Sequence, residues 1–180
     1  MLRLMLVRHT AVDEAYAGRC YGALDVALSA AGKLDQGRLV PLLAAWRPQW
    51  VFHSELVRTR ELAVAVAAAA GAAVRADVRL RERHFGTWEG CTWDAIYQED
   101  PRSLDRLIEE PDTFAPPGGE TTLALRDRVW AWYRELPAEA RVLAVTHGGP
   151  IAVLRGTLEG CDPSAWPRLI PALGASVELP

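Results

Sequence analysis

Two apolar runs in this chain stop abruptly at ionisable residues. The first is Leu2-Arg3-Leu4-Met5-Leu6-Val7-Arg8-His9, and the second is Val142-Leu143-Ala144-Val145-Thr146-His147-Gly148-Gly149. Short runs rich in Val and Leu are the pattern of parallel strands buried on both faces. Trp50-Val51-Phe52-His53 reads as a further short strand, another lies within Ala73–Leu80, and an edge strand is expected near Ala175–Leu179. Helical stretches fall between them. Ser29 is placed to cap a helix running to about Trp46, which Pro41 should kink or divide. Ser54 is placed to cap an Ala-rich helix from Glu55 to Ala70, ended by Gly71. One or two shorter helices cover Thr92–Glu109, and others cover Glu120–Leu136 and Pro150–Glu159. Ala115-Pro116-Pro117-Gly118-Gly119 is a break. Strands alternating with helices predict an α/β fold with a largely parallel sheet. No internal repeat or linker interrupts the pattern, so one domain over residues 1–180 is expected.

Composition narrows the function classes. Half of the 180 residues are hydrophobic, about a quarter are charged, and the net charge is −3. Without a Lys/Arg block, neither nucleic acid nor an anionic membrane is expected as a partner. No apolar run reaches the length of a membrane span, and Arg8-His9 interrupts the first run too early for a signal peptide. Cys20, Cys91 and Cys161 are widely spaced, without a CxxC pair, which fits a reduced cytoplasmic protein. No Cys/His spacing suits zinc.

Chemistry enters at the strand ends, where open α/β sheets gather their ligands. If the two long runs are neighbouring strands, His9, His147 and Arg8 converge in one water-poor place suited to attack on a phosphate. Arg58 lies in the first turn of a helix, whose free N–H groups favour an anion, and Arg60 follows two positions on. They stand about 200° apart around the helix, so only one can face the pocket. Glu82, just past the third strand, is a candidate proton donor, against the plainer reading of a salt-bridging carboxylate. His84 is expected to pack or to lie at the loop surface.

Five segments in order resemble the histidine phosphatase superfamily, over nearly the whole chain. They are Leu6-Val7-Arg8-His9, Ser54-x-Leu56-x-Arg58, Leu80-x-Glu82-x-x-Phe85-Gly86-x-Trp88-Glu89-Gly90, Pro116-Pro117-Gly118-Gly119-Glu120, and Val145-Thr146-His147-Gly148-Gly149. The resemblance implies a phosphoglycerate-mutase-like three-layer α/β/α sandwich and phosphomonoester hydrolysis without metal or other cofactor. It makes His9 the nucleophile and selects Arg58 over Arg60. Arg8, Arg58 and His147 would hold the phosphate, Gly148 would let a backbone N–H approach it, and Glu82 would serve as acid and then base.

The chain departs from the family pattern in places. Thr10, Val12 and Ala15 stand where Gly, Thr and a phosphate-binding Asn are usual. Glu55 replaces a Pro, and Leu62 replaces a Thr. Gly18-Arg19-Cys20-Tyr21-Gly22-x-x-Asp25-Val26-x-Leu28 resembles the loop of α-ribazole phosphatases, which act in assembly of the cobalamin nucleotide loop. Tyr21 and Gly22 would then sit beside the phosphate ester, with Trp93 and Tyr97 accepting a flat base. The alternatives are a broad phosphatase for sugar phosphates or nucleotides, a mutase, and a non-catalytic binder of a phosphorylated ligand. The expected partner is a small phosphorylated substrate, with a homodimer left open.

Overall fold

The computed structural model describes residues 1–179. Five strands form one sheet: β1 (Arg3–Arg8), β2 (Trp50–His53), β3 (Ala73–Ala76), β4 (Arg141–Thr146) and β5 (Ser176–Leu179). Their order is β3-β2-β4-β1-β5, parallel except for β5, which runs antiparallel to β1. The two apolar runs are neighbours, in a register that sets Arg8 beside Thr146.

Both faces of the sheet are covered, which is why β1 and β4 lack a polar face. On one side Val7, Val51, Leu143 and Val145 pack against α1 (Ala30–Ala45) and α2 (Val57–Ala70), through Leu43, Leu62, Ala63 and Val66. On the other, Leu4, Leu6, Val142 and Ala144 meet α5 (Thr122–Arg134) and α6 (Gly148–Leu158), through Leu125, Val129, Trp132 and Ile151. The result is the expected three-layer sandwich. A third apolar cluster of Cys20, Trp88, Ile96 and Phe114 lies outside the sheet. It is completed by Trp93 of α3 (Trp93–Glu99) and by Leu104 and Leu107 of α4 (Ser103–Glu109).

Several local expectations need correction. Pro41 does not divide α1, which runs unbroken from a true Ser29 cap, the serine Oγ accepting from Gly32 N at 3.0 Å. The third strand lies within its expected span, at Ala73–Ala76, and Asp77 then starts a short 3₁₀ turn over Val78–Leu80. Ser54 does not cap α2. The helix begins at Val57, whose N–H donates instead to Asp25 Oδ1 at 2.7 Å from a distant loop. The cause is Glu55, held at φ +71° with its N–H on His53 Nδ1 at 3.1 Å. Proline could supply neither that angle nor that donor, so the departure from the family's proline belongs to a different local backbone.

The helix after β1 crosses to one face of the sheet and the helix after β4 starts on the other. A crevice therefore opens between the carboxyl ends of β1 and β4, the place where ligands of such sheets bind.

Candidate active site

His9 follows β1 into this crevice and His147 follows β4, their ring centroids 5.2 Å apart. Both are at most 1% exposed. His9 Nδ1 donates to the Thr10 carbonyl at 2.7 Å, which leaves Nε2 with its lone pair. Burial pushes the His9 imidazole down to about 3, assisted by Arg58 and Arg8 and opposed by the bond to Thr10. His9 is thus a neutral, oriented base at physiological pH.

The protons around His147 can be placed by following donors. Arg58 Nε can only donate, so His147 Nδ1 accepts its hydrogen at 3.3 Å. Burial holds His147 well below the ordinary histidine value, with Arg58 adding to the effect. The neutral ring therefore carries its proton on Nε2, which donates to Ser54 Oγ at 2.7 Å. Ser54 passes its hydrogen to Thr59 Oγ1 at 2.9 Å, and Thr59 donates to the Leu56 carbonyl at 2.9 Å. Ser54 looks like a helix cap in the sequence, and it serves instead to orient a histidine.

Arg58, the second residue of α2, is fully buried, whereas Arg60 is exposed. Its Nη2 donates to the Gly22 carbonyl at 2.6 Å and its Nη1 to the Leu24 carbonyl. Each terminal nitrogen keeps a second N–H. Tyr21 lies over the guanidinium at 5.2 Å and edge-on to His9 at 6.3 Å. Burial raises the Tyr21 phenol, while Arg8 and Arg58 pull it down. Arg8 Nη1 donates to the Pro171 carbonyl at 2.7 Å, and its buried Nε has no partner among the described residues. Ala15 lies in a 3₁₀ turn (Glu14–Tyr16) away from the cavity wall, its carbonyl accepting from Arg19.

Glu82 faces this cluster from the loop after the Val78–Leu80 turn. Its carboxylate accepts from Gly149 N at 3.2 Å to each oxygen, and from Arg83 N at 2.8 Å. Gly149 is the second residue of α6, so the positive end of a helix points at the carboxylate. A Cβ at Gly149 would fall on Glu82 Oε1, which explains the second glycine after His147. Gly148 lines the cavity beside the Arg8 guanidinium.

Two buttresses absent from the candidate residues fix the Glu82 loop. Arg128 of α5 donates to the carbonyls of Arg79, Arg81 and Glu82 at 2.7–3.0 Å and pairs with Glu120 at 2.6 Å. Glu89 Oε1 accepts from Ala23 N and Phe85 N, both at 3.0 Å, which ties the Tyr21 loop to the Glu82 loop. The Trp88-Glu89-Gly90 motif therefore serves as a clasp. His84 is exposed, as expected. The aromatic pair on α3 separates, with Trp93 lining the cavity and Tyr97 51% exposed away from it. Cys20 is a buried thiol, pushed up to about 12 by burial.

A cavity of about 380 Å³ opens beside these groups, lined by Arg8, Tyr21, Gly22, Glu82, Gly148 and Gly149 at its inner end. His9, Arg58 and His147 lie behind that lining. Two imidazoles, two guanidiniums and a carboxylate around one concave site can bind an anion, attack it and exchange a proton beside it.

Comparison with known proteins agrees with this arrangement. The chain is 33% identical over 179 residues to a glucosyl-3-phosphoglycerate phosphatase of Mycobacterium tuberculosis, covering 93% of this chain and 79% of that protein. It is 29% identical over 169 residues to phosphoserine phosphatase 1 of Hydrogenobacter thermophilus, covering 92% and 80%. The solved structure of the mycobacterial phosphatase superposes with a TM-score of 0.87 at 30% identity, over 98% of this chain and 88% of that one. These relatives make the chain a phosphoric monoester hydrolase. The family model for the histidine phosphatase superfamily (branch 1) matches residues 4–179, and the chain belongs to that family.

Proposed function

We propose that this hydrolase works in two steps through a phosphohistidine on His9. The observation that carries the reading is the neutral His9, its Nδ1–H spent on Thr10 and its Nε2 free within a cluster of buried cations. Nε2 attacks phosphorus, the ester P–O bond breaks, and the departing oxygen takes a proton from the Glu82 carboxyl. Water then attacks the phosphohistidine, Glu82 receives its proton, and the P–N bond breaks to release phosphate. Arg8, Arg58 and His147 stabilise the charge on the equatorial oxygens, the main source of acceleration in phosphoryl transfer.

For the substrate, α-ribazole phosphate is the first reading. It is supported by the Gly18–Leu28 loop and by Tyr21, Phe85 and Trp93 in the cavity wall, which suit a flat base. A sugar-acid phosphate is the second, favoured by the 33% identical relative named for glucosyl-3-phosphoglycerate.

The mechanism is tested by an alkaline, denaturing quench during turnover of radiolabelled p-nitrophenyl phosphate, which should trap a base-stable, acid-labile phosphoprotein. His9→Ala should abolish both the label and turnover. Normal turnover by His9→Ala would refute the mechanism. A panel containing both named substrates, run with EDTA and with vanadate, ranks the two readings.

A further inference from the structure

Resting on the phosphomonoesterase reading, we propose that the alcohol half of the substrate carries an apolar body, held in a hydrophobic cleft between α4 and the Pro163–Ile170 segment. The cavity that begins at Arg8, Glu82 and Gly149 runs outward between walls that are almost entirely hydrocarbon. Leu104, Leu107 and Ile108 of α4 form one wall, and Trp166, Pro167 and Ile170 the other. The two walls come from segments about sixty residues apart, joined by packing of α4 against the Pro163–Leu169 3₁₀ helix.

Few polar groups reach the outer part of the cleft, and part of their hydrogen-bonding capacity is spent on backbone carbonyls. Arg19 donates to the carbonyls of Ala15 and Gly90 at 3.1 and 3.0 Å, and Thr122 Oγ1 donates to the Leu107 carbonyl at 2.9 Å. At the inner end, beside Glu82, the Arg83 guanidinium has no side-chain hydrogen-bond partner among the described residues, and its Nη1 is buried. A sugar placed between the outer walls would leave most of its hydroxyls unpaired, whereas an apolar body there needs no partner. The mouth points the same way. Ile108 and Ile170 stand on opposite walls, 38% and 42% exposed, so a bound apolar group would shield both from water. Because the cleft is continuous with the catalytic groups, its occupant is the group leaving from phosphorus rather than a separate ligand.

A series of n-alkyl phosphates from ethyl to octyl isolates this contact, since the basicity of the leaving oxygen hardly changes along it. With the wild-type protein, kcat/KM should rise about threefold or more per added methylene until the cleft is filled. Glycerol phosphate and glucose 6-phosphate should fall below alkyl esters of similar size. Ile108→Asp and Ile170→Asp, both at partly exposed positions, should each lower the octyl-to-ethyl ratio by about tenfold. A flat series with p-nitrophenyl phosphate still hydrolysed would overturn the apolar leaving group and leave the phosphatase reading intact. A steep series untouched by either variant would overturn the location of the cleft. Failure to turn over any ester, with no phosphoprotein trapped, would instead overturn the reading on which the inference rests.

Discussion

The two ends of the cavity are built on opposite principles. At the inner end, buried polar groups are held by hydrogen bonds whose directions can be traced from Arg58 through His147 and Ser54 to Thr59. At the outer end, Leu104, Leu107, Trp166 and Ile170 offer shape and apolar surface, with no comparable network. The first arrangement fixes charge for one transition state, because preorganised dipoles act most strongly where water is excluded. The second recognises by burial, which is graded and tolerant of detail. Chemistry should therefore fail steeply when the inner end is altered, and selectivity should drift when the outer end is.

Glu82→Gln should give the largest break in that contrast. The amide keeps the shape but cannot deliver a proton, so turnover of alkyl phosphates should fall by about 10²–10³. The loss should be much smaller for p-nitrophenyl phosphate, whose leaving group needs little protonation. Equal losses on both esters would show that Glu82 does not protonate the leaving oxygen.

Gly149→Ala tests position apart from chemistry. The new Cβ would overlap Glu82 Oε1, so the carboxylate must shift while every reacting group remains. Displacement on the order of 1 Å should cost roughly tenfold to a hundredfold in kcat. The octyl-to-ethyl ratio should hold, because the outer walls do not move. A changed ratio with kcat intact would mean that α6 serves selectivity rather than the acid.

The same contrast governs how far the site could be read from sequence. Arg8, His9 and His147 were legible because each ends a strand, where period and composition change together, and the sheet then brings strand ends to one edge. Ser54 was misread because a capping serine and a site serine have the same local signature. Only the left-handed Glu55 and the Asp25 contact decide between them. Arg128 gave no signal, since an arginine on an amphipathic helix looks like a solvated charge until its carbonyl partners are in place. The cleft was the least legible part. Leu107 and Ile170 belong to segments that meet only in the folded chain, and on a helix such residues look like ordinary core positions. Trp93 and Tyr97 make the same point in reverse, for a shared helix face did not give them a shared pocket.

The smallest effect should appear in stability rather than rate. His9, His53 and His147 are all held below the ordinary histidine value, chiefly by burial. The unfolded chain therefore takes up protons near pH 6.5 that the native chain refuses, and stability must fall as pH drops below that value. For His9 the loss continues towards its folded value of about 3. Between pH 6.5 and 5 the ordinary carboxylates titrate little, so the histidines dominate. Each should contribute up to about 1.4 kcal/mol per pH unit. Urea midpoints measured across this window should decline with acid, and His9→Asn should remove up to one histidine's share of the slope. Ile108→Asp, at the outer end, should shift the curve without changing its slope. Parallel curves for wild type and His9→Asn would mean that His9 takes up a proton in the folded protein, and a nucleophile kept neutral by burial would have to be abandoned.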